Sequence, residues 1–496
     1  KFGTSSTLPG IASGNAGGST NPSAAQPCNV SSSTTTQYTP PTPSGLPDFD
    51  VTNFKNSGFT HGMEAQYLSA FPSLIADSYS ELDDTAGTAP AALSQACANQ
   101  GLYSAADLAG LPTVTVVINS TTISSAELMA QCGSDSICVL PTGVTLLMDA
   151  SINVAALRVL SHAHVRWDTA TQTATHQWLC AGYVAIEGSG SSFTLDLSED
   201  GKKNAYIYIK DNGVTHSYLR TRAFGAVASD SPAYSGDLSN GPVITIKGKP
   251  IRRTWSVLAE PLLSGQNRLR LAHDPREMGW VEGDRIQVAP TAGQGGSAGI
   301  ANTFRIASLG AFNVIHLAAS FPSGGPSGSR DKIVPDGRAS KTFGATFEYI
   351  QRQEPGRRVA SVRSAEVIHL TRSVVLTGDD FRQIDCDPSL SAGGGGNNAG
   401  ISDQGCLCKD GLRTKCTMGL HMAHMYGGSS HIFHMRIEKC GQQGVLGKYC
   451  SHLHLLGDSP SSVFEGNAVE YAHQRGYNIH GTHRSTFRFN VASDVR

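Results

Sequence analysis

The sequence predicts an all-β fold whose C-terminal part is a parallel β-helix. Three observations carry that expectation. From Val114 the chain is a succession of short β-branched runs (VTVVI, GVTLLMD, AALRVL, HVRWDT, YVAIEG, FTLDL, AYIYIK) at roughly ten-residue spacing, separated by Gly, Asn and Asp. No helical period alternates with these runs, so they suit an all-β sandwich, barrel or solenoid and argue against a βαβ sheet. Near the end, SHIFHMRIEKC (430–440), SVFEGNAVEYA (462–472) and STFRFNVASDV (485–495) superimpose on Phe433, Phe464 and Phe487, at offsets of 31 and 23 residues. Those offsets are the length of successive β-helix coils. Asn467 and Asn490 share a phase within the repeat, as an asparagine ladder in a coil corner would.

Taken in order, residues 1–47 are rich in Ser, Thr, Gly, Pro and Ala and end in TTTQYTPPTPSGLP. They hold too little apolar surface to offset their ordering entropy alone, and read as an arm or stalk. Residues 48–112 hold the best helical candidates, 72–82 and 91–109. The β texture occupies 113–225 and continues through PVITIKG, RLRLAHD, GDRIQVAP, FRIASLG, NVIHLAA and EVIHLTRSVVLTGDDF into the repeat. Each coil has an unpaired edge until a neighbour stacks on it. A repeat running to Arg496 therefore predicts more chain, or self-assembly with a partner, beyond it.

Composition narrows the function classes. The chain has 38 Lys+Arg against 40 Asp+Glu, and charged residues make up 16%. No basic run is present to neutralise phosphates, which excludes nucleic acid as the main partner. No apolar run approaches the length of a membrane span. The 11 cysteines do not form paired CxxC knuckles, so disulfides and an oxidising compartment are expected. Asn29-Val-Ser and Asn119-Ser-Thr are glycosylation sequons consistent with a secretory route.

A family resemblance rests on particular stretches. CVLPTGVTLLMDASINVAALRVL, LCAGYVAIEGSGSSFTLDL, AYIYIKDNG and RAFGA, within 138–225, resemble a β domain named for eight glycines. WSVLAEPL (255–262) and WVEGDRIQVAPT from Trp280 resemble the join from that domain into a β-helix, and EVIHLTRSVVLTGDD (366–380) resembles its "EVxLLTRN" strand. GQQGVLGKYCSHLHLLGD and YNIHGTHRSTFRFNV resemble the "GQ…G.YPIHFH..GD" and "VTVHGT" segments that follow. These stretches are similar to the extracellular hyaluronidases of the cell-migration-inducing and transmembrane types and to the fibrocystin-like proteins. The resemblance covers roughly 120–496. Departures include Ser161-His162, Ser373, Cys450-Ser451 and the Gly- and Cys-rich insertion 390–417. It implies an eight-glycine-type β domain over 113–225, followed by a right-handed parallel β-helix over 226–496. It also implies an extracellular or cell-surface protein that interacts with a polysaccharide or glycoprotein.

Candidate chemistry gathers at the C-terminal end, where nine of the 17 histidines lie from His421 onward. His452 and His454 are two apart and so share one face of a strand. His480 follows His454 by 26 residues, and His421 precedes His452 by 31, each about one coil. His421, His452, His454 and His480 are thus candidate ligands for a divalent metal such as Zn²⁺. The alternatives are a hydrogen-bonded polar ladder and surface histidines in a glycan groove. Hydrolysis of a polysaccharide needs two carboxylates across a groove. Asp458, Glu465, Glu470 and Asp494 are near in sequence, with Asp379 and Asp380 upstream, and no spacing selects a pair. Asp458, His454 and His480 are the catalytic candidates, and Arg475 and Arg484 are candidates to hold a uronate carboxylate. The competing expectation is a non-enzymatic structural or adhesive subunit of a coat or filament.

Overall fold

The computed structural model describes residues 93, 96, 97 and 101–496, except 119, 171–175, 200–202, 229–239, 261, 263–265, 290–302, 319–344, 347–362, 388–405, 408–414, 444 and 496. The arm expected at 1–47, the helix expected at 72–82, most of the insertion 390–417 and both sequon asparagines lie outside them.

Among the described residues, eight coils stack into a parallel β-helix with three sheets. The first sheet runs Thr113–Thr115, Ile137–Leu140, Ala156–Val159, Tyr183–Glu187, Ala223–Val227, His421–Met425, Ser451–Asp458, Tyr477–His483. The second ends in Val243–Lys247, Ser429–Phe433, Val463–Glu465 and Thr486–Arg488, and the third in Val374–Gly378, Met435–Cys440, Ala468–Ala472 and Val491–Ala492.

In-register apolar ladders hold the coils together. Leu195, Ile246, Ile432, Phe464 and Phe487 are consecutive partners in the second sheet. Leu179, Ile207, Leu376, Ile437, Val469 and Ala492 are consecutive partners in the third. The rings of Phe464 and Phe487 stack at 4.6 Å with planes 2° apart. Phe433, expected in this ladder, is paired with Glu465 and only half-buried, while Ile432 takes the inward place. The repeat was therefore set one residue off at this coil. Because side chains alternate with period two, a one-residue slip moves the aromatic ring to the other face.

The asparagine ladder is present. Asn467 Nδ2 donates to Asn490 Oδ1 at 3.0 Å and to Ile432 O at 2.9 Å, while its Oδ1 accepts from Met435 N at 2.9 Å. It sits at a corner where one residue per coil takes a left-handed backbone: His434 (φ 52), Gly466 (φ 67) and Phe489 (φ 56).

At the N-terminal end the helix Ser125–Cys132 follows the second strand of the first coil. Ser124 and Glu127 form a reciprocal capping box there, and Leu128 and Cys132 enter the core. A second helix, Ala105–Gly110, overlaps the candidate at 91–109.

The boundary expected at 225/226 is not a break in the structure. Ala223–Val227 pairs with Tyr183–Glu187 on one side and with His421–Met425 on the other, so the glycine-named segment and the later coils share continuous sheets. The interruption falls inside the fifth coil, between Val243–Lys247 and Val374–Gly378. There a separate six-stranded antiparallel sheet is inserted, with its own core around Leu271, Met278, Trp280, Ile286 and Val367. Arg285 of that sheet meets Glu470 of the β-helix at 2.8 Å, both side chains being almost fully buried. Tyr183, Tyr206 and Tyr208 are buried.

Candidate functional site

The outer face of the first sheet changes character along the helix. In the middle coils Tyr183, Ala185, Ala223 and Val227 are covered by Val214, Leu219 and the helix residue Leu108. Past that cover the last three coils open into a cleft of about 810 Å³. Two loops wall it, one contributing Tyr218 and Arg220 and the other Lys448 and Tyr449. The disulfide Cys440–Cys450 closes the second loop at its base.

Strand alternation sets the floor. Leu453 points into the core and is 1% exposed, so His452 and His454 point outward. Register then places Ala423, His452 and Asn478 in one row, and Met425, His454 and His480 in the next. His454 Nδ1 lies 3.1 Å from His480 Nδ1. The ring of His452 is 4.9 Å from that of His454 and 6.3 Å from that of His480. One ligand nitrogen from each of the three lies within 4.8 Å of the others, so these side chains could hold a metal ion.

His452 is the best-defined member. Its Nδ1 is 2.9 Å from Gly447 O, which places a proton on Nδ1 and a lone pair on Nε2. That Nε2 is buried and has no hydrogen-bond partner. Burial lowers the His452 pKa to about 4; the Gly447 carbonyl opposes the shift, and His454, His480 and Lys448 add to it. Burial also lowers His454, with a smaller contribution from His480. Neutral imidazoles at physiological pH are the ligating form.

His421 does not join them. Its strand is adjacent, but Ala423 rather than His421 stands opposite His452. Its Nε2 lies 2.8 Å from Leu219 O and 3.2 Å from Lys448 Nζ, deep under the loop. Burial, then Lys448, lowers its pKa well below the usual value. It supports the cleft floor.

Asp458 does not join them either. A bulge between His454 and Gly457 breaks the register, and Asp458 lines a second depression with Gly428, Ser459 and Pro460. Its two carboxylate oxygens accept from Nε and Nη2 of Arg484, and that bonding lowers its pKa. Asp458 and Arg484 thus satisfy each other away from the histidines. Arg475 does lie in the cleft, where its Nη1 donates to Asn478 Oδ1 at 2.9 Å and its guanidinium sits 5.1 Å over the Tyr449 ring.

Other acids near in sequence are also engaged. Glu465 meets Arg488 at 2.7 Å, and Asp380 meets Lys439 at 2.8 Å. Asp379 accepts from Tyr208 Oη at 2.6 Å. No Asp or Glu is among the described residues lining the cleft. The described lining thus supplies neither of the two carboxylates that such hydrolysis uses.

Sequence reasoning missed Tyr218, Arg220, Gly447, Lys448 and Tyr449. Lys448 and Tyr449 stand four and three residues before His452 of the His-x-His pair, which is a usable signal. Arg220 arrives from a loop more than 200 residues upstream, and nothing local marks it. No helix among the described residues is long and apolar enough to cross a membrane.

Two comparisons bear on identity. Residues 417–496, which carry His452, His454 and His480, match the CEMIP beta-helix family model. The chain is also 25% identical over 371 residues to human (Homo sapiens) Fibrocystin-L, a match covering 73% of this chain and 8% of that protein. The chain thus spans only a small part of the length of that curated relative. Together with the stacked parallel coils, these similarities place residues 417–496 with the CEMIP β-helix and support a CEMIP- and fibrocystin-like family for the chain.

Proposed function

We propose that this protein works outside the cell or at its surface and binds a stretch of linear acidic polysaccharide in the cleft above the histidine coils. The observation that carries the reading is the cleft's lining: Arg220, Lys448 and Arg475 with Tyr218 and Tyr449, and no carboxylate among the described residues. Guanidinium forks match uronate or sulfate groups, and tyrosine faces suit sugar rings. The similarity to the CEMIP beta-helix supports a polysaccharide ligand. The disulfides Cys97–Cys180, Cys132–Cys138 and Cys440–Cys450 support an oxidising compartment.

The test is binding and chain-length measurement with hyaluronan, a sulfated glycosaminoglycan and a neutral polymer, at two salt concentrations. Binding of acidic but not neutral chains, weakened by salt, is expected. Shortening of a bound chain would add depolymerase activity. Failure of the folded protein to bind any acidic chain would overturn the reading. It would leave the second one, a structural or adhesive subunit, which the internal pairing of Asp458 with Arg484 and of Glu465 with Arg488 favours.

A further inference from the structure

We propose that His452, His454 and His480 form a site for one divalent transition-metal ion, with an open coordination position facing the cleft. The proposal does not depend on what polymer the cleft takes.

Three features beyond the cluster itself point to a ligand. First, His452 is 5% exposed, and its Nε2 is buried without a partner. Leaving a buried acceptor unsatisfied is unfavourable, and a coordinated ion removes that penalty. Second, the Gly447 carbonyl holds the opposite ring nitrogen at 2.9 Å, the outer-shell arrangement that fixes tautomer and ring orientation in metal sites. Third, the spacing suits a small ion. Metal–nitrogen bonds of about 2.0–2.1 Å in a tetrahedron put ligand nitrogens about 3.3 Å apart. The His454–His480 pair is at 3.1 Å, and the whole set lies within 4.8 Å. Side-chain rotation closes the remainder, and His480 is the exposed member that can make it.

The donor set selects the metal class. Three imidazoles without a carboxylate disfavour Ca²⁺ and Mg²⁺, which take oxygen ligands, and suit Zn²⁺ or its first-row neighbours. Three protein ligands leave the fourth position of a tetrahedron for water or a ligand oxygen. The competing account is a simple ladder in which one proton bridges His454 and His480. It satisfies those two nitrogens and leaves His452 Nε2 as it is.

The test uses untagged full chain stripped with chelator. Zn²⁺ is titrated by calorimetry, and Co²⁺ by its visible absorption, which reports four-coordinate nitrogen ligation. One equivalent is expected to bind. His480→Ala, at an exposed position, should weaken binding by more than the roughly 10–100-fold that loss of an outer-shell partner costs. His452→Ala should do the same, and His431→Ala, on the second sheet, should not. Absence of stoichiometric uptake by the wild-type chain would overturn the proposal, as would unchanged affinity in His480→Ala, which decides the matter if His452→Ala fails to fold. Polymer binding is measured on the same samples. Polymer bound without metal uptake overturns the metal site alone; metal uptake without polymer overturns only the polymer reading.

Discussion

His454 Nδ1 and His480 Nδ1 face each other at 3.1 Å across adjacent coils, because the two residues are direct register partners. In the ion-free chain, one of the two nitrogens carries the proton that it donates to the other. His452 is different, since Gly447 already holds its Nδ1 proton. In ion-free protein at pH 7, side-chain nitrogen NMR should show His452 as the Nδ1–H tautomer with an unprotonated Nε2. With its pKa brought down to about 4, that pattern should persist to pH 5. A protonated Nε2 at pH 7 would contradict the geometry.

Stability should fall as pH drops below about 6.5. Burial lowers His424 to about 4, and burial with the charges of Arg372 and His369 lowers His434 to about 3. The unfolded chain, with ordinary imidazoles, then binds more protons than the folded one below pH 6.5, and this favours unfolding. Above pH 7 both states are neutral and the effect vanishes. At pH 5 each imidazole should cost up to about 2 kcal/mol, continuing to rise toward its folded pKa. Urea midpoints measured from pH 8 to 4.5 check this. A flat profile below 6.5 would refute it.

The corner ladder predicts a large effect from one small truncation. Asn467 is fully buried and serves Met435 N, Ile432 O and Asn490 Oδ1 together. Asn467→Ala leaves a backbone donor and a backbone acceptor without that side chain, at about 1–3 kcal/mol each. Asn490 is less buried, so Asn490→Ala should cost less. Denaturant unfolding of both variants gives the comparison, and equal small losses would contradict the ladder.

Why this ladder was legible while other features were not is a matter of period. Strand runs, turn residues and the phase of Asn467 and Asn490 are local signals that survive in a single chain. His452 and His454 were readable as one face because alternation needs no partner. Register is not local: Ile432 and Phe433 are both apolar, and only stacking on Phe464 decides which faces inward. His421 is displaced by two residues, which keeps its face but changes its row: Ala423 holds the row expected for it. The split of the fifth coil was hidden because the inserted antiparallel strands carry the same β-branched texture as the coils around them. Asp458 was drawn toward the histidines by proximity in sequence, whereas the bulge after His454 turns it toward Arg484.

The Cys440–Cys450 bond should matter to the site as well as to stability. It closes the loop carrying Gly447, Lys448 and Tyr449, and the chain-entropy model gives roughly 2–4 kcal/mol for such a link. Replacing both cysteines with Ala should lower the denaturation midpoint. It should also release the Gly447 carbonyl from His452, so the tautomer pattern should become mixed. A destabilised variant that keeps a single His452 tautomer would separate the loop from the site.

The two arginines offered as carboxylate ligands make opposite predictions. Arg475 is exposed in the cleft, steadied by Asn478 and by the Tyr449 ring, and its fork is available to an anion. Arg484 spends its fork on Asp458 in a separate depression. Arg475→Ala should therefore weaken acidic polymer binding by roughly 10–100-fold, the range that follows from about 1.5–3 kcal/mol for a charged hydrogen bond. The salt dependence of binding should also become shallower, because one anionic contact is lost. Arg475→Lys should restore only part of the affinity, since a lysine keeps the charge without the planar fork. Arg484→Ala should leave binding and its salt dependence unchanged. The reverse pattern would move the binding surface from the histidine face to the Asp458 corner. Cleft binding of the polymer would then be wrong even if the metal site were real.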